Sequence, residues 1–247
     1  MCVSPKWSPR PAELHLADHD VHVWRAFLAD EHAQVRHLEA VLSDDERVRA
    51  SRFVSPQERD RFISARGILR SLLGQYLRCP AAAIQFTYET AGKPRLRPLD
   101  GDPAIRFNVT HSGDLAAYAF TCNREVGVDV EAVRSDSSLQ EVAERFFSPY
   151  ELAELRGLPP DVHNEAVVLC WTRKEAYVKA RGSAFGIPLD SFHVSLTPGK
   201  PERLVSDDSS RWMLRSFFPA EGYVGAVVVE GGDSVLHLLN WASFREY

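Results

Sequence analysis

The chain has 247 residues, 45% hydrophobic and 26% charged, with a formal net charge of -5. That length supports one large domain or two small ones around a real core, and the composition excludes disordered and fibrous classes. The net charge argues against a polyanion binder by charge alone, although basic residues cluster between Arg47 and Arg70.

The four cysteines, Cys2, Cys79, Cys122 and Cys170, form no C-x-x-C pair, so free thiols in a reducing cytoplasm are expected. The segment Met1 to Pro11 carries three prolines and no apolar run, unlike a signal peptide. No stretch approaches the roughly 18 apolar residues of a membrane-spanning helix.

In chain order, Glu13 to Trp24 alternates apolar residues and predicts a strand, followed by a helical segment from Arg25 to Leu42. Ser43 caps a helix with acidic first-turn residues that runs to Phe53. Ser55-Pro56 opens a longer one, apolar at Phe62, Ile63, Ile68, Leu69, Leu72, Leu73 and Tyr76, which Cys79-Pro80 ends. Three short strands follow at Ile105 to Thr110, Leu115 to Thr121 and Val126 to Val130, and such short connections predict antiparallel pairing. Helices are then expected over Leu139 to Phe147, Pro149 to Arg156 and Glu165 to Arg181. Strands are expected over Phe192 to Leu196, Trp212 to Phe217, Tyr223 to Val229 and Val235 to Leu239. Helices segregated from antiparallel strands in each half define an α+β class.

Three segments carry chemistry. On the strand Val126-Gly127-Val128-Asp129-Val130-Glu131, Asp129 and Glu131 project to one face and the valines to the other. Two carboxylates on one rigid edge make half of a magnesium site, though a solvated polar strand face has the same pattern. Glu175 and Lys179 share a helix face and can serve a metal and a phosphate together; a plain surface pair reads the same. His111 and Ser112 end a strand at a tight turn, able to meet a ligand or to satisfy local backbone. Arg61 and Arg70 can reach an anion from a buried helix, while Arg52, Arg59 and Arg66 read as solvated surface. His15, His19 and His22 suggest a weak zinc trio, since in an extended run His22 does not share the face of the other two.

Taken together, these pieces resemble the 4'-phosphopantetheinyl transferases, in particular the long, monomeric type that activates surfactin synthetase. The resemblance runs through Gly92-Lys93-Pro94, Phe107-Asn108-Val109-Thr110-His111-Ser112, the acidic strand, Phe146-Phe147-Ser148 with Glu151, and Trp171-Thr172-Arg173-Lys174-Glu175-Ala176-Tyr177-Val178-Lys179. Gly186 to Phe192 extends it, so it spans about Ser43 to Phe192. It implies a pseudo-twofold fold of two similar α/β halves, each an antiparallel sheet packed with helices, with coenzyme A between them. The expected division is residues 1–125, on the coenzyme A adenylate side, and residues 126–247, with the metal-ligand helix on the carrier side.

Position by position, the resemblance implies Asp129, Glu131 and Glu175 as Mg2+ ligands and Lys179 on the pyrophosphate. His111 and Ser112 are expected at the 3'-phosphate, Gly92, Lys93 and Pro94 in the adenine-side loop, and Arg61 and Arg49 at phosphate. Glu46 departs from the pattern, standing where some members have a phosphate-contacting lysine. The implied reaction moves the phosphopantetheine arm of coenzyme A onto a serine of an apo acyl or peptidyl carrier protein and releases adenosine 3',5'-bisphosphate. Glu175, directly or through a metal-bound water, is the first choice of base, and Glu151 the second. Fatty acid, polyketide and nonribosomal peptide carriers all stay open. Neither nucleic acid nor membrane is expected as a partner. The linker Ala132 to Leu139, with Arg134, is one candidate carrier contact. The competing reading is a non-catalytic coenzyme A or carrier-protein binding module.

Overall fold

In the computed structural model, residues 6–29, 35–88, 92–97, 105–133, 138–182 and 186–241 are described. The first sheet contains β1 (Asp20–Phe27), β4 (Ile105–Ser112), β5 (Leu115–Cys122) and β11 (Val235–Asn240), in the order β11-β1-β5-β4. The second contains β6 (Val126–Ala132), β9 (Trp212–Phe217) and β10 (Tyr223–Glu230), in the order β6-β10-β9. Two small hairpins, β2 (Phe86–Tyr88) with β3 (Pro94–Leu96) and β7 (His193–Val194) with β8 (Leu204–Val205), flank them. Helices α1 (Val35–Ala40), α2 (Asp44–Ala50) and α3 (Pro56–Tyr76) belong to the first half. Helices α4 (Ser138–Phe146), α5 (Pro149–Arg156) and α6 (His163–Ala180) belong to the second.

Strand alternation assigns the cores. On β1, Trp24 and Ala26 join Ile68, Leu69 and Leu72 of α3, while Val21 and Val23 point to the other side. That other side packs against Val126, Val128 and Val130 of β6 and Val227 and Val229 of β10, so the two sheets share one apolar layer. The back of the second sheet, through Trp212, Leu214, Ala226 and Val228, meets Ala176, Tyr177 and Ala180 of α6. The class is α+β, with helices packed on mainly antiparallel sheets. Among the described residues, no helix is long and apolar enough to cross a membrane.

The caps expected at Ser43 and Ser55 both form. Ser43 closes a capping box with Glu46, and Ser55 accepts from the Glu58 amide with Pro56 in the first turn. Three expectations need correction. The first strand begins at Asp20, not Glu13, and continues to Phe27, because its pairing with β5 runs on through Arg25, Ala26 and Phe27. The helix expected from Arg25 is seen only as Val35–Ala40, and residues 30–34 lie outside the described residues. The third short strand does not pair with its predecessor. After Asn123, whose φ is 55°, β6 joins the second sheet beside β10 and lays its valines on the back of the first. The last strand, β11, returns to the first sheet and pairs parallel with β1, with His22 opposite His237.

Candidate active site

The acidic strand and the Glu-Lys helix meet because of a glycine. A Cβ on Gly127 would collide with the Ala176 carbonyl and the Ala180 amide, so only glycine lets α6 lie this close to β6. On the same face of β6, Asp129 and Glu131 then stand beside Glu175 and Lys179 of α6. The strand β4 lies along the other side of β6, where Asn108 Oδ1 accepts from the Val128 amide at 2.9 Å.

Asp129 is 3% exposed. Its Oδ1 accepts from Lys179 Nζ at 2.6 Å and from Thr110 Oγ1 at 3.0 Å, and Lys179 also reaches Thr110 Oγ1 at 3.3 Å. Its Oδ2 is buried and has no hydrogen-bond partner among the described residues. Burial pushes the Asp129 carboxyl up to about 6, Lys179 pulls the other way, and Glu131 and Glu175 add to the rise. Glu131 accepts from Ser112 Oγ at 2.7 Å. Burial also raises the Glu175 carboxyl, with Lys179 lowering it and Glu131 raising it. Asp129 and Glu175, both driven upward by burial, and Glu131, whose charge raises each of them, form a set that a hard divalent ion relieves. The orphaned Asp129 Oδ2 is a free ligand atom in that set, so the residues present fit magnesium.

Lys93 is held away from solvent. Its Nζ donates to the Lys179 carbonyl at 2.7 Å and to the Val126 carbonyl at 3.1 Å, tying the loop at Gly92 (φ 81°) to the end of α6 and the start of β6. Pro94, Arg49, Arg61, Arg66, His111, Phe62 and Val109 contribute to the wall of a cavity of about 290 Å3. A second hollow, lined by Asp45, Glu46, Val48, Arg49, Arg52, Phe53, Arg66 and Tyr88, shares three of its residues with the first. Arg49 stacks over Phe62 at 5.2 Å. Arg61 is already paired, donating to Asp114 at 2.7 Å and to Glu58 at 2.5 Å, and these bonds raise its pKa. The cavity therefore offers a cationic, partly apolar wall that suits an anion carrying a flat ring.

The structure thus brings Asp129, Glu131, Glu175, Lys179, Thr110 and Ser112 together, with His111, Arg49, Arg61 and Pro94 on the neighbouring cavity. It does not bring Glu151 there. Glu151 is fully buried in the second core, pairs with buried Lys174 at 2.8 Å, and accepts from the Val194 amide at 2.8 Å and the Ser148 amide at 2.7 Å. Its oxygens are committed to holding α5 against β7. Ser112 faces Glu131 rather than the cavity. Arg134 lies outside the described residues, and Leu139 packs against the second core.

Two residues escaped the sequence reading. Thr110 stands in a recognised segment, yet only the structure shows its hydroxyl bridging Asp129 and Lys179. Arg66, expected as solvated surface, has only 11% of its side chain exposed, pairs with Glu46 at 2.9 Å and bonds the Tyr88 hydroxyl at 2.8 Å. The acidic residue at position 46 was the available signal, because a buried carboxylate needs a cationic partner. Glu46 in fact has two, since Arg70 also donates to it at 2.5 Å with both side chains buried.

The sequence is similar to known proteins of one family. A family model described as the 4'-phosphopantetheinyl transferase superfamily matches residues 125–228, and one described as 4'-phosphopantetheinyl transferase, N-terminal, matches residues 27–123. The chain is 40% identical over 225 residues to the 4'-phosphopantetheinyl transferase HetI of Nostoc sp., covering 91% of this chain and 94% of that protein. It is 30% identical over 210 residues to the 4'-phosphopantetheinyl transferase Sfp of Bacillus subtilis, covering 80% and 91%. A crystal structure of a holo-(acyl-carrier-protein) synthase from Bacillus anthracis in complex with CoA aligns at a TM-score of 0.38 and 23% identity, over 45% of this chain and 96% of that one. This chain belongs to the 4'-phosphopantetheinyl transferase superfamily.

Proposed function

We propose that the protein transfers the 4'-phosphopantetheine arm of coenzyme A to a serine of an apo acyl or peptidyl carrier protein, releasing adenosine 3',5'-bisphosphate, in a magnesium-dependent reaction. Family membership supports the transfer. The observation that supports the metal is the buried, unpartnered Asp129 Oδ2 on a carboxylate that the charges of Glu131 and Glu175 push upward.

Asp129, Glu131 and Glu175 would hold the ion. When bound, it supplies charge neutralisation at the pyrophosphate, the main requirement of phosphoryl chemistry. Thr110 and Ser112 fix the carboxylates: each hydroxyl donates to one of them and so sets its rotamer. Lys179 supplies a cation for the oxygen that leaves with the adenosine bisphosphate. The carrier serine oxygen forms the new bond to the pantetheine-side phosphorus as the pyrophosphate bond breaks. Glu175 takes the serine proton, directly or through a water, with a carboxylate oxygen that the ion leaves free. Arg49, Arg61 and His111 hold the 3'-phosphate in the cavity, and Pro94 walls the adenine side. The protein acts as a monomer in the cytoplasm.

Intact mass spectrometry of an apo carrier protein, incubated with enzyme, coenzyme A and Mg2+, tests this. The carrier gains the phosphopantetheine mass only with all three present. A carrier that stays unmodified across acyl and peptidyl types overturns the reading in favour of a non-catalytic binding module.

A further inference from the structure

A second cluster of ligating side chains lies on β1 and β11, facing α3. Asp20 and His22 are two apart on β1 and share a face, and His237 sits opposite His22 across the parallel pair. His237 Nε2 is 3.0 Å from Asp20 Oδ1, and His22 Nε2 is 3.9 Å from Asp20 Oδ2. One ligand atom from each residue lies within 4.8 Å of the others. The two imidazoles meet edge to face, with centroids 5.0 Å apart.

We propose that Asp20, His22 and His237 form a transition-metal site of the zinc class, distinct from the three-carboxylate site, that staples the last strand to the first. Zinc takes imidazole nitrogen and carboxylate oxygen at about 2 Å each, so two of its ligands stand about 3 to 4 Å apart. The separations at Asp20 already fall in that range. Two imidazoles select against magnesium, which takes oxygen.

The surroundings resemble those of a built site. His22 is buried, and its Nδ1 lies 2.8 Å from the Tyr76 hydroxyl, which also accepts from Trp24 Nε1 at 2.9 Å. A ligating imidazole ordinarily has such a partner on its other nitrogen, fixing ring orientation and tautomer. Asp20 is held in place by the Ala17 amide at 3.0 Å. His237 keeps 42% of its side chain exposed and gives the ion a way in. Exposed His15, within electrostatic reach of His22, or a water can fill a fourth position. The ion would tie position 22 of β1 to position 237 of β11, which among the described residues has β1 on one edge and a single bridge from Ser8 on the other.

Chelator-stripped full-length protein, titrated with Co2+ and then with Zn2+ in competition, tests the proposal. With Mg2+ in excess to fill the three-carboxylate site, the expected result is one Co2+ bound with visible absorption bands that Zn2+ erases, and a Tm that rises with Zn2+. His237→Gln and Asp20→Asn should each weaken binding by about a hundredfold or more, and Tyr76→Phe by about tenfold. Asp129→Asn, in the other site, should leave the bands unchanged. His237→Gln is the primary variant because its half-exposed side chain is replaced without touching the core. No Co2+ or Zn2+ binding by the wild type, equal binding by His237→Gln, or bands lost in Asp129→Asn instead would each overturn it.

Discussion

The Lys179 ammonium lies 2.6 Å from Asp129 Oδ1, while Oδ2 of the same carboxylate is buried with no hydrogen-bond partner among the described residues. One oxygen is therefore neutralised internally and the other is left for an ion. Asp129→Asn keeps the shape and the Thr110 bond but removes the charge. It should lower kcat/KM for carrier modification at least about a hundredfold, since metal charge stabilisation is worth several kcal/mol. Calorimetric Mg2+ binding should vanish with it. Normal activity in folded Asp129→Asn protein would contradict the metal assignment.

Glu151 and Lys174 form an ion pair with both side chains fully buried. Removing one member strands the other charge in the core. Glu151→Gln should thus cost about 3 to 5 kcal/mol in urea unfolding. Activity per folded molecule should be little changed, because no substrate reaches Glu151. A double variant, Glu151→Leu with Lys174→Met, should not recover the full loss, because the Ser148 and Val194 amides and the Leu189 and Phe192 carbonyls lose their buried partners. A folded Glu151→Gln protein that binds coenzyme A but cannot transfer would restore Glu151 as a base.

Much of this was legible in the sequence, for physical reasons. Caps at Ser43 and Ser55 are local chemistry, and both form. The two-residue spacing of Asp129 and Glu131 and the four-residue spacing of Glu175 and Lys179 fix shared faces without knowledge of the fold. What local pattern cannot reveal is which strand neighbours which. Hence β6 was expected beside β5 and joins β10, and the histidine beside His22 comes from position 237 rather than 15 or 19. Thr110 and Arg66 were missed for the same reason: their roles exist only relative to Asp129 and Glu46.

Gly127 sets the distance between the carboxylates of β6 and Glu175 of α6. Gly127→Ala must push α6 away, because its methyl meets backbone rather than a flexible side-chain tip. Overpacking of this kind costs about 1 to 3 kcal/mol. Activity should fall further than stability, since Mg2+ affinity needs Glu175 in place. Unchanged Mg2+ affinity in the alanine variant would show that the third carboxylate is not a ligand.

His22 gives the metal-free fold a pH dependence. Burial lowers its imidazole from 6.5 to about 4; His237 and His15 add to the fall, and Asp20 opposes it. The unfolded chain takes up this proton before the folded one does. The stabilisation is therefore complete above about pH 6.5 and is lost as pH falls through about 4. The full loss is at most about 3 kcal/mol. Urea unfolding in chelator between pH 7 and 4 should show this slope, and His22→Asn should flatten it. Identical slopes in the two proteins would assign the effect elsewhere.

His111 is exposed at the end of β4 and lines the cavity with Arg49 and Arg61. Arg61 is held by Asp114 and Glu58, so its guanidinium is fixed in direction before any ligand arrives. A phosphate placed there meets an oriented cation and an imidazole whose exposure leaves it free to donate. Hydrogen bonds to a charged group are worth about 1.5 to 3 kcal/mol. Dephospho-coenzyme A, which lacks the 3'-phosphate, should therefore be used about thirtyfold less efficiently than coenzyme A by the wild type. His111→Ala should raise KM for coenzyme A and leave that for dephospho-coenzyme A nearly unchanged, so the preference shrinks. The kcat on coenzyme A should change less than KM, because the 3'-phosphate is remote from the reacting phosphorus. Steady-state kinetics with both donors, for wild type and variant, measures each kcat and KM. If the wild type uses the two donors equally, the cavity holds another part of the molecule.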